Sequence, residues 1–172
     1  MLNILVIGSG AREHAIVRSL SRSSKKKEIY CLATNYNPGI AEVCKDMAVA
    51  DINDSETVKI YAKKKKIDFA IIGPENPLAN GVADALFDIG VESVGPKKDL
   101  AQIETSKSFT RNLLTEYKIP GCPKFKTFSS MEGVEEFLGE LGDYYVVKYD
   151  GLAGGKGVKV AGDHLHSHGE AI

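Results

Sequence analysis

With 172 residues, 43% of them hydrophobic and 26% charged, and a formal net charge of −1, the sequence is that of an ordinary globular protein, with room for one full domain and part of a second. The charge balance excludes a general nucleic-acid or membrane-surface binder, and no apolar run nears the ~20 residues that span a bilayer. The start MLNILVIGSG enters a strand with no basic stretch ahead of it and does not read as a signal peptide. Cys31, Cys44 and Cys122 share no CxxC spacing, the pattern of reduced thiols in a cytoplasmic protein.

In chain order, LNILVI (2–7), EIYCLA (28–33), IDFAII (67–72) and VESV (91–94) predict strands, mostly buried on both faces. Helical patterns lie between them. Ile16, Val17 and Leu20 share one face; Asn53 followed by Glu56 predicts a capped helix starting near 54; Val82, Leu86 and Ile89 recur at i, i+4 and i+7. This rhythm predicts an α/β fold, with a Rossmann-like parallel sheet carrying helices on both faces. GPKKD (95–99) breaks the pattern. A helix follows over 106–117, with Phe109, Leu113 and Tyr117 on one face, and KIPGCP (118–123) ends it.

The remainder reads as the start of an α+β domain: a strand FKTF (125–128), a helix after Ser129 with Glu132 as capping partner, a strand YYVVKY (144–149), a glycine-rich turn and a strand VKVA (158–161). Ser167 to Glu170 has capping-box spacing and would open a helix without a body, so the expectation is an N-terminal piece of a longer protein. The expected division is a substrate-binding domain over 1–103, a connecting helix and linker over 104–120, and an incomplete second domain over 121–172.

Three stretches carry chemistry. VIGSGAREHA (6–15) begins like a dinucleotide fingerprint, but Glu13 holds the third glycine position, and Ala33-Thr34-Asn35 stands where a ribose-binding acid belongs. That disfavours NAD. A tight turn and a helix N-terminus remain, which favour an anion such as a phosphate; the plain alternative is a turn that only joins strand to helix. IIGPENPLANG (71–81) offers Glu75 and Asn76 from a loop fixed by Pro74 and Pro77, at the sheet edge where open parallel sheets bind ligands. The alternative is that Asn76 or Glu75 caps the next helix.

VVKYDGLAGGKGVKV (146–160) packs four glycines into seven residues beside Lys148 and Lys156. It is not a P-loop, because Asp150 and Gly157 occupy positions that need glycine and Ser or Thr. A glycine-rich hairpin can instead fold its amides over phosphates while lysines neutralise charge. KKK (25–27) and KKKK (63–66) fall at helix ends and read as solvated termini. His164, His166 and His168 alternate, which suits adventitious metal binding better than a built site.

Taken in order, IGSGAREHA, IIGPENPL, ETSKSF and VVKYDGLAGGKGV resemble the motifs of the glycinamide ribonucleotide synthetase family of the ATP-grasp superfamily. The resemblance implies a cytoplasmic carbon–nitrogen ligase of purine biosynthesis. It would join glycine to 5-phosphoribosylamine through a glycyl phosphate, giving glycinamide ribonucleotide, ADP and phosphate. It implies that Lys107 and Lys148 contact ATP, that Gly154, Gly155, Lys156 and Gly157 form a mobile cover on its phosphates, and that Gly8, Ser9, Gly10, Arg12, Glu13, Gly73, Pro74, Glu75, Asn76 and Pro77 face the phosphoribosyl substrate. Partners would be small molecules, the expected state a monomer. Mg²⁺ or Mn²⁺ would be held by acidic residues beyond 172, so no catalytic residue is assigned and these residues alone are expected to be inactive. Two departures stand out: NYNPGIAE (35–42) replaces the family's Pro-Gly-Asn-Ala-Gly segment, and Gly154 replaces a more usual alanine. Alternatives are another ATP-grasp carboxylate–amine ligase, or a non-catalytic module that binds a nucleotide or sugar phosphate.

Overall fold

An apolar run with no polar alternation has to be covered on two sides, and the N-terminal run is. In the computed structural model, which describes all 172 residues, β1 (Leu2–Ile7) is the central strand of a five-stranded sheet with β2 (Lys27–Ala33), β3 (Asp46–Val49), β4 (Phe69–Ile72) and β5 (Glu92–Val94). The order is β3-β2-β1-β4-β5 and every pairing is parallel. Strand alternation sends side chains to two cores. Leu5 and Ile7 join Tyr30 and Leu32 in one, with Val58 and Ala62 of α3 (Ser55–Lys65) and Leu86 of α5 (Val82–Phe87). Val6 joins Ile29, Cys31 and Ala33 in the other, with Val17 of α1 (Ala11–Ser21) and Ile40 of α2 (Pro38–Ala41). This is the doubly wound Rossmann-like sheet that the sequence predicts.

The strand order reverses between β1 and β4, because β2 and β3 lie to one side and β4 and β5 to the other. The loops after β1 and β4 must then diverge, which opens a crevice at the strands' carboxyl ends. The short α4 (Glu75–Ala79) starts on that edge directly after β4. Residues Met1–Gln102 form this unit, and α6 (Lys98–Thr105) runs across its boundary.

The second unit, Ile103–Ile172, contains α7 (Lys107–Glu116), α8 (Val134–Leu141), an antiparallel pair β6 (Val146–Lys148) and β7 (Val158–Val160), and α9 (His168–Ala171). Its core is small: Leu138, Tyr145 and Leu165, with Val134, Leu141, Ala161 and Ala171 packed around them. No helix in the chain is long and apolar enough to cross a membrane.

Four local readings need correction. FKTF (125–128) is not a strand; it has no ladder partner, and Phe128 turns in to meet Phe137 with ring centroids 5.9 Å apart. The following helix does not start after Ser129 with Glu132; it starts at Val134 behind Gly133, whose positive φ makes the turn. The cap of α3 is Asp54 rather than Asn53: its carboxylate accepts from the amides of Glu56 and Thr57 at 3.2 and 3.3 Å. Strand β3 and helix α2 were not expected, because both are four-residue elements too short for a period to emerge. Ser167 does cap α9, accepting from the Glu170 amide.

Leu86 is fully buried and Leu100 is 63% exposed. Leu86→Ala should destabilise the first unit by about 2–5 kcal/mol, and Leu100→Ala by no more than ~0.5 kcal/mol. Urea melts of the two variants check this, and equal shifts in midpoint would contradict the assignment of the core.

Candidate functional site

The crevice is built around one buried carboxylate. Chain geometry turns sharply after β1 at Gly8, whose φ is +113°, and α1 begins at Gly10. Glu13, three residues into the helix, reaches back, and its Oε2 accepts from the Gly10 amide at 2.6 Å. The side chain is only 4% exposed. It fits because the surrounding positions lack side chains. A Cβ on Gly73 would overlap the carboxylate, with Glu13 Cγ and Cδ 2.6 Å away; one on Gly10 would lie 2.8 Å from Oε2; one on Gly8 would lie 2.9 Å from both Glu13 Cγ and the Pro74 ring. The sequence reading grouped Glu13 with residues facing the substrate, but the structure places its carboxylate inside the turn.

Arg12, its neighbour, points the other way and joins the two loops. Its Nη1 donates to the Gly73 carbonyl at 2.6 Å, and both Nη1 and Nη2 lie 3.1 Å from Glu75 Oε1. The Glu75 carboxyl is held below the usual glutamate range, first by its own amide at the start of α4 and then by Arg12, against the opposing effect of partial burial. Pro74 is the N-cap residue of α4, and Asn76 and Pro77 lie within its first turn. Gly8, Ser9, Gly10, Arg12, Gly73, Pro74, Glu75, Asn76 and Pro77 therefore gather along one edge of the sheet, where the strand order reverses.

A third segment joins them without having been assigned a role. Asn37 caps α2 by accepting from the Ile40 amide at 3.2 Å, and its Nδ2 donates to the Ser9 carbonyl at 2.9 Å. A Cβ on Gly39 would fall 2.6 Å from the His14 ring, whose Nε2 is buried with no partner. The signal in the sequence was Asn-Pro-Gly itself, a cap followed by a residue at N1 and a close approach.

The second unit presents the hairpin. Tyr149 N donates to Gly157 O at 2.9 Å and closes the loop between β6 and β7. Gly154 and Gly155 take positive φ with open space where side chains would go, so this tip has freedom that other residues would lose. Lys148 is exposed on β6, and Lys156 is exposed in the loop. Lys107, the first residue of α7, directs Nζ to the Gly151 carbonyl at 2.7 Å. Asp150 accepts from the Lys107 amide at 2.6 Å, the Ser108 amide at 3.3 Å and the Ser106 hydroxyl at 3.2 Å, and also from the Ser108 hydroxyl. The Ser108 hydroxyl is the main reason its carboxyl is held below the usual aspartate range; the amides of Ser108 and Lys107 add to it, against partial burial. Beside them lies a cavity of about 880 Å³ lined by Lys107, Lys124, Lys126, Lys148, Phe128 and Tyr149 among others.

The three C-terminal histidines serve separate local roles. His164 Nδ1 accepts from the Val160 amide at 3.3 Å, and the His168 ring stands edge-on to Tyr145. No three of the chain's His, Cys, Asp or Glu residues come together as a cation site. The residues present thus offer no built cluster of cation ligands, whereas the lysines of the cavity and the open glycine loop offer positive charge and room to a phosphorylated ligand. Burial pushes the Cys31 thiol up to about 12 and the Cys44 thiol up to about 11, so neither is a nucleophile at neutral pH.

A switch-point crevice in one unit and a lysine-flanked glycine hairpin in the next define the architecture of the ATP-grasp ligases. Two solved structures share it: N5-carboxyaminoimidazole ribonucleotide synthetase from Thermotoga maritima (TM-score 0.73, 20% identity, covering 100% of this chain and 44% of that one), and N5-carboxyaminoimidazole synthetase from Staphylococcus aureus complexed with ADP (TM-score 0.70, 16% identity, covering 93% and 41%). Residues 2–104 match the pattern of the phosphoribosylglycinamide synthetase N domain, and residues 105–172 that of its ATP-grasp (A) domain. A phosphoribosylamine–glycine ligase from Methanococcoides burtonii is 46% identical over 170 residues, which is 99% of this chain. The chain belongs to the phosphoribosylglycinamide synthetase family, and it spans 39% of the length of that relative.

Two outcomes follow. Gly73→Ala should destabilise strongly by driving the Glu13 carboxylate off the Gly10 amide. In a Glu13→Ala background the same change should cost at least ~1 kcal/mol less. A double-mutant cycle by urea denaturation measures this, and additive effects would refute the packing. Glu75, with its depressed carboxyl, stabilises the fold above the ordinary glutamate range, and that contribution is lost as pH falls through its folded value. Glu75→Gln should therefore narrow the difference in melting temperature between about pH 6 and about pH 3; an unchanged difference would contradict it.

Proposed function

We propose that this chain supplies the sugar-phosphate site and part of the nucleotide site of an enzyme that ligates glycine to 5-phosphoribosylamine. The γ-phosphoryl group of ATP passes to the glycine carboxylate, leaving ADP and glycyl phosphate. The amine of phosphoribosylamine then attacks that carbonyl, forming the amide of glycinamide ribonucleotide and releasing phosphate. The observation that carries the reading is the crevice framed by Gly8–Gly10 and Gly73–Pro77 and bridged by Arg12.

In this reading Arg12 and the first-turn amides of α1 meet the phosphoribosyl group. Ser9, Asn76, Glu75 and the two glycine turns shape and orient it, and Pro74 at the N-cap and Pro77 inside α4 restrict the backbone there. Glu13 acts from inside the turn by holding it in place. In the second unit Lys107 and Lys148 neutralise nucleotide charge, and Gly154, Gly155, Lys156 and Gly157 cover the phosphates. The work of these residues is positioning and charge neutralisation, and no step is routed through a metal on this chain. The unpaired cysteines suit a reducing compartment such as the cytoplasm. The balanced charge suits small-molecule partners rather than nucleic acid.

Thermal-shift titrations of the 172-residue chain with glycinamide ribonucleotide, ATP and NAD test this. A ligand that binds only the folded state stabilises by about 2.7 kcal/mol at a hundred times its Kd. Saturable shifts are expected with glycinamide ribonucleotide and with ATP. Arg12→Ala should weaken the first by at least about tenfold, the loss of a ~1.4 kcal/mol interaction, and leave the second unchanged. A shift with NAD alone would overturn the reading.

A further inference from the structure

The root of the glycine hairpin is held by an acidic residue that has no place in the reaction above. Asp150 sits between the last residues of β6 and the glycine loop, and it gathers four donors from the start of α7: the amides of Lys107 and Ser108 and the hydroxyls of Ser106 and Ser108. The first-turn amides of a helix have no acceptors within it, so an acid here is fixed in place by donors and by the helix dipole together. Ser106 is engaged twice, because its hydroxyl also accepts from the Phe109 amide at 3.1 Å as the cap of α7. One residue further on, the Gly151 carbonyl accepts from Lys107 Nζ at 2.7 Å. Two consecutive residues of the hairpin are thus bound to the start of α7, Asp150 through backbone amides and hydroxyls and Gly151 through a side-chain ammonium.

We propose that Asp150 is a positioning residue for the nucleotide: acting through Lys107 and Gly151, it sets both the root of the loop over 151–157 and the place of the Lys107 ammonium. The loop needs such an anchor. Gly154 and Gly155 meet nothing within 4 Å of a side-chain position, so the tip has no packing of its own, and its placement is inherited from its base. The Lys107 side chain is flexible, with several rotatable bonds, and the Gly151 carbonyl gives it one defined direction. The carboxylate itself occupies the amides at the helix start, so it directs a bound phosphate away from that terminus and toward the lysines and the loop. This rests on the reading that the loop covers nucleotide phosphates.

The test compares the wild-type chain with Asp150→Asn, Asp150→Glu and Ser108→Ala. Ser167→Ala removes a different helix cap in the same unit and serves as the control. Amide hydrogen exchange over 151–157 without ligand and the Kd for ADP are measured well below the melting temperature. Asp150→Asn should speed exchange in the loop at least about tenfold and weaken ADP about tenfold, a ~1.4 kcal/mol change. Ser108→Ala should do the same to a smaller degree, and Asp150→Glu should recover part of both. Ser167→Ala should move neither, whatever it does to stability. Unchanged exchange in Asp150→Asn would overturn the proposal, as would faster exchange with wild-type affinity for ADP. A wild-type chain that does not bind ADP would overturn the underlying nucleotide reading as well.

Discussion

The turn between β1 and α1 depends on where the Glu13 carboxylate goes. In a dinucleotide-binding turn the third glycine lets the helix pack closely on the strand. Here the position carries a full side chain, and the space is made elsewhere: Gly8, Gly10 and Gly73 together leave a pocket that the acid fills. The acid then satisfies the Gly10 amide and complements the positive end of α1. The glycines of this motif are needed first by the protein's own glutamate, and only then by any ligand that comes near. The same packing brings the loop after β4 against the loop after β1, since Gly73 and Pro74 are two of the surfaces that Glu13 and Gly8 touch. Arg12 completes the tie from outside.

The second unit repeats the device with different residues. Asp150 does for α7 what Glu13 does for α1: it places a carboxylate on the first amides of a helix and thereby anchors a glycine-rich loop. The start of α1, which the sequence offers to an anion, and the start of α7 are thus both partly occupied from within. The side-chain cations nearest these two starts are Arg12 in one unit and Lys107, Lys148 and Lys156 in the other.

The parallel sheet was legible because β1, β2 and β4 are apolar on both faces, and Val82, Leu86 and Ile89 recur at helical spacing. The glycine and proline loops were legible because their residue types have few other uses. What escaped has physical reasons. Four-residue elements such as β3 and α2 carry no period. Asn53 and Asp54 are both good caps, and only the direction of the chain decides that Asp54 points at the helix. Phe125 and Phe128 were taken for a strand, but their spacing of three suits a coil that turns one ring onto Phe137. The burial of Glu13 is the least legible feature. Its position in a ligand motif says nothing of burial, which depends on Gly73, far away in the chain, having no side chain.

The two units also differ in how much holds them. The first has cores on both faces of its sheet, with Leu5, Ile7, Val6, Val17 and Leu86 fully buried. The second buries three apolar side chains, and its hairpin strands pair over three residues with largely exposed β6 side chains. Local stability follows the density of buried apolar contact, so opening fluctuations concentrate in the second unit. The densely packed sheet carries the crevice, and the lightly packed hairpin carries the open glycine tip. Space alone does not ask for glycine at 154, where a larger residue would have room; the positive φ of Gly154 and Gly155 does, because it is a conformation that side chains disfavour.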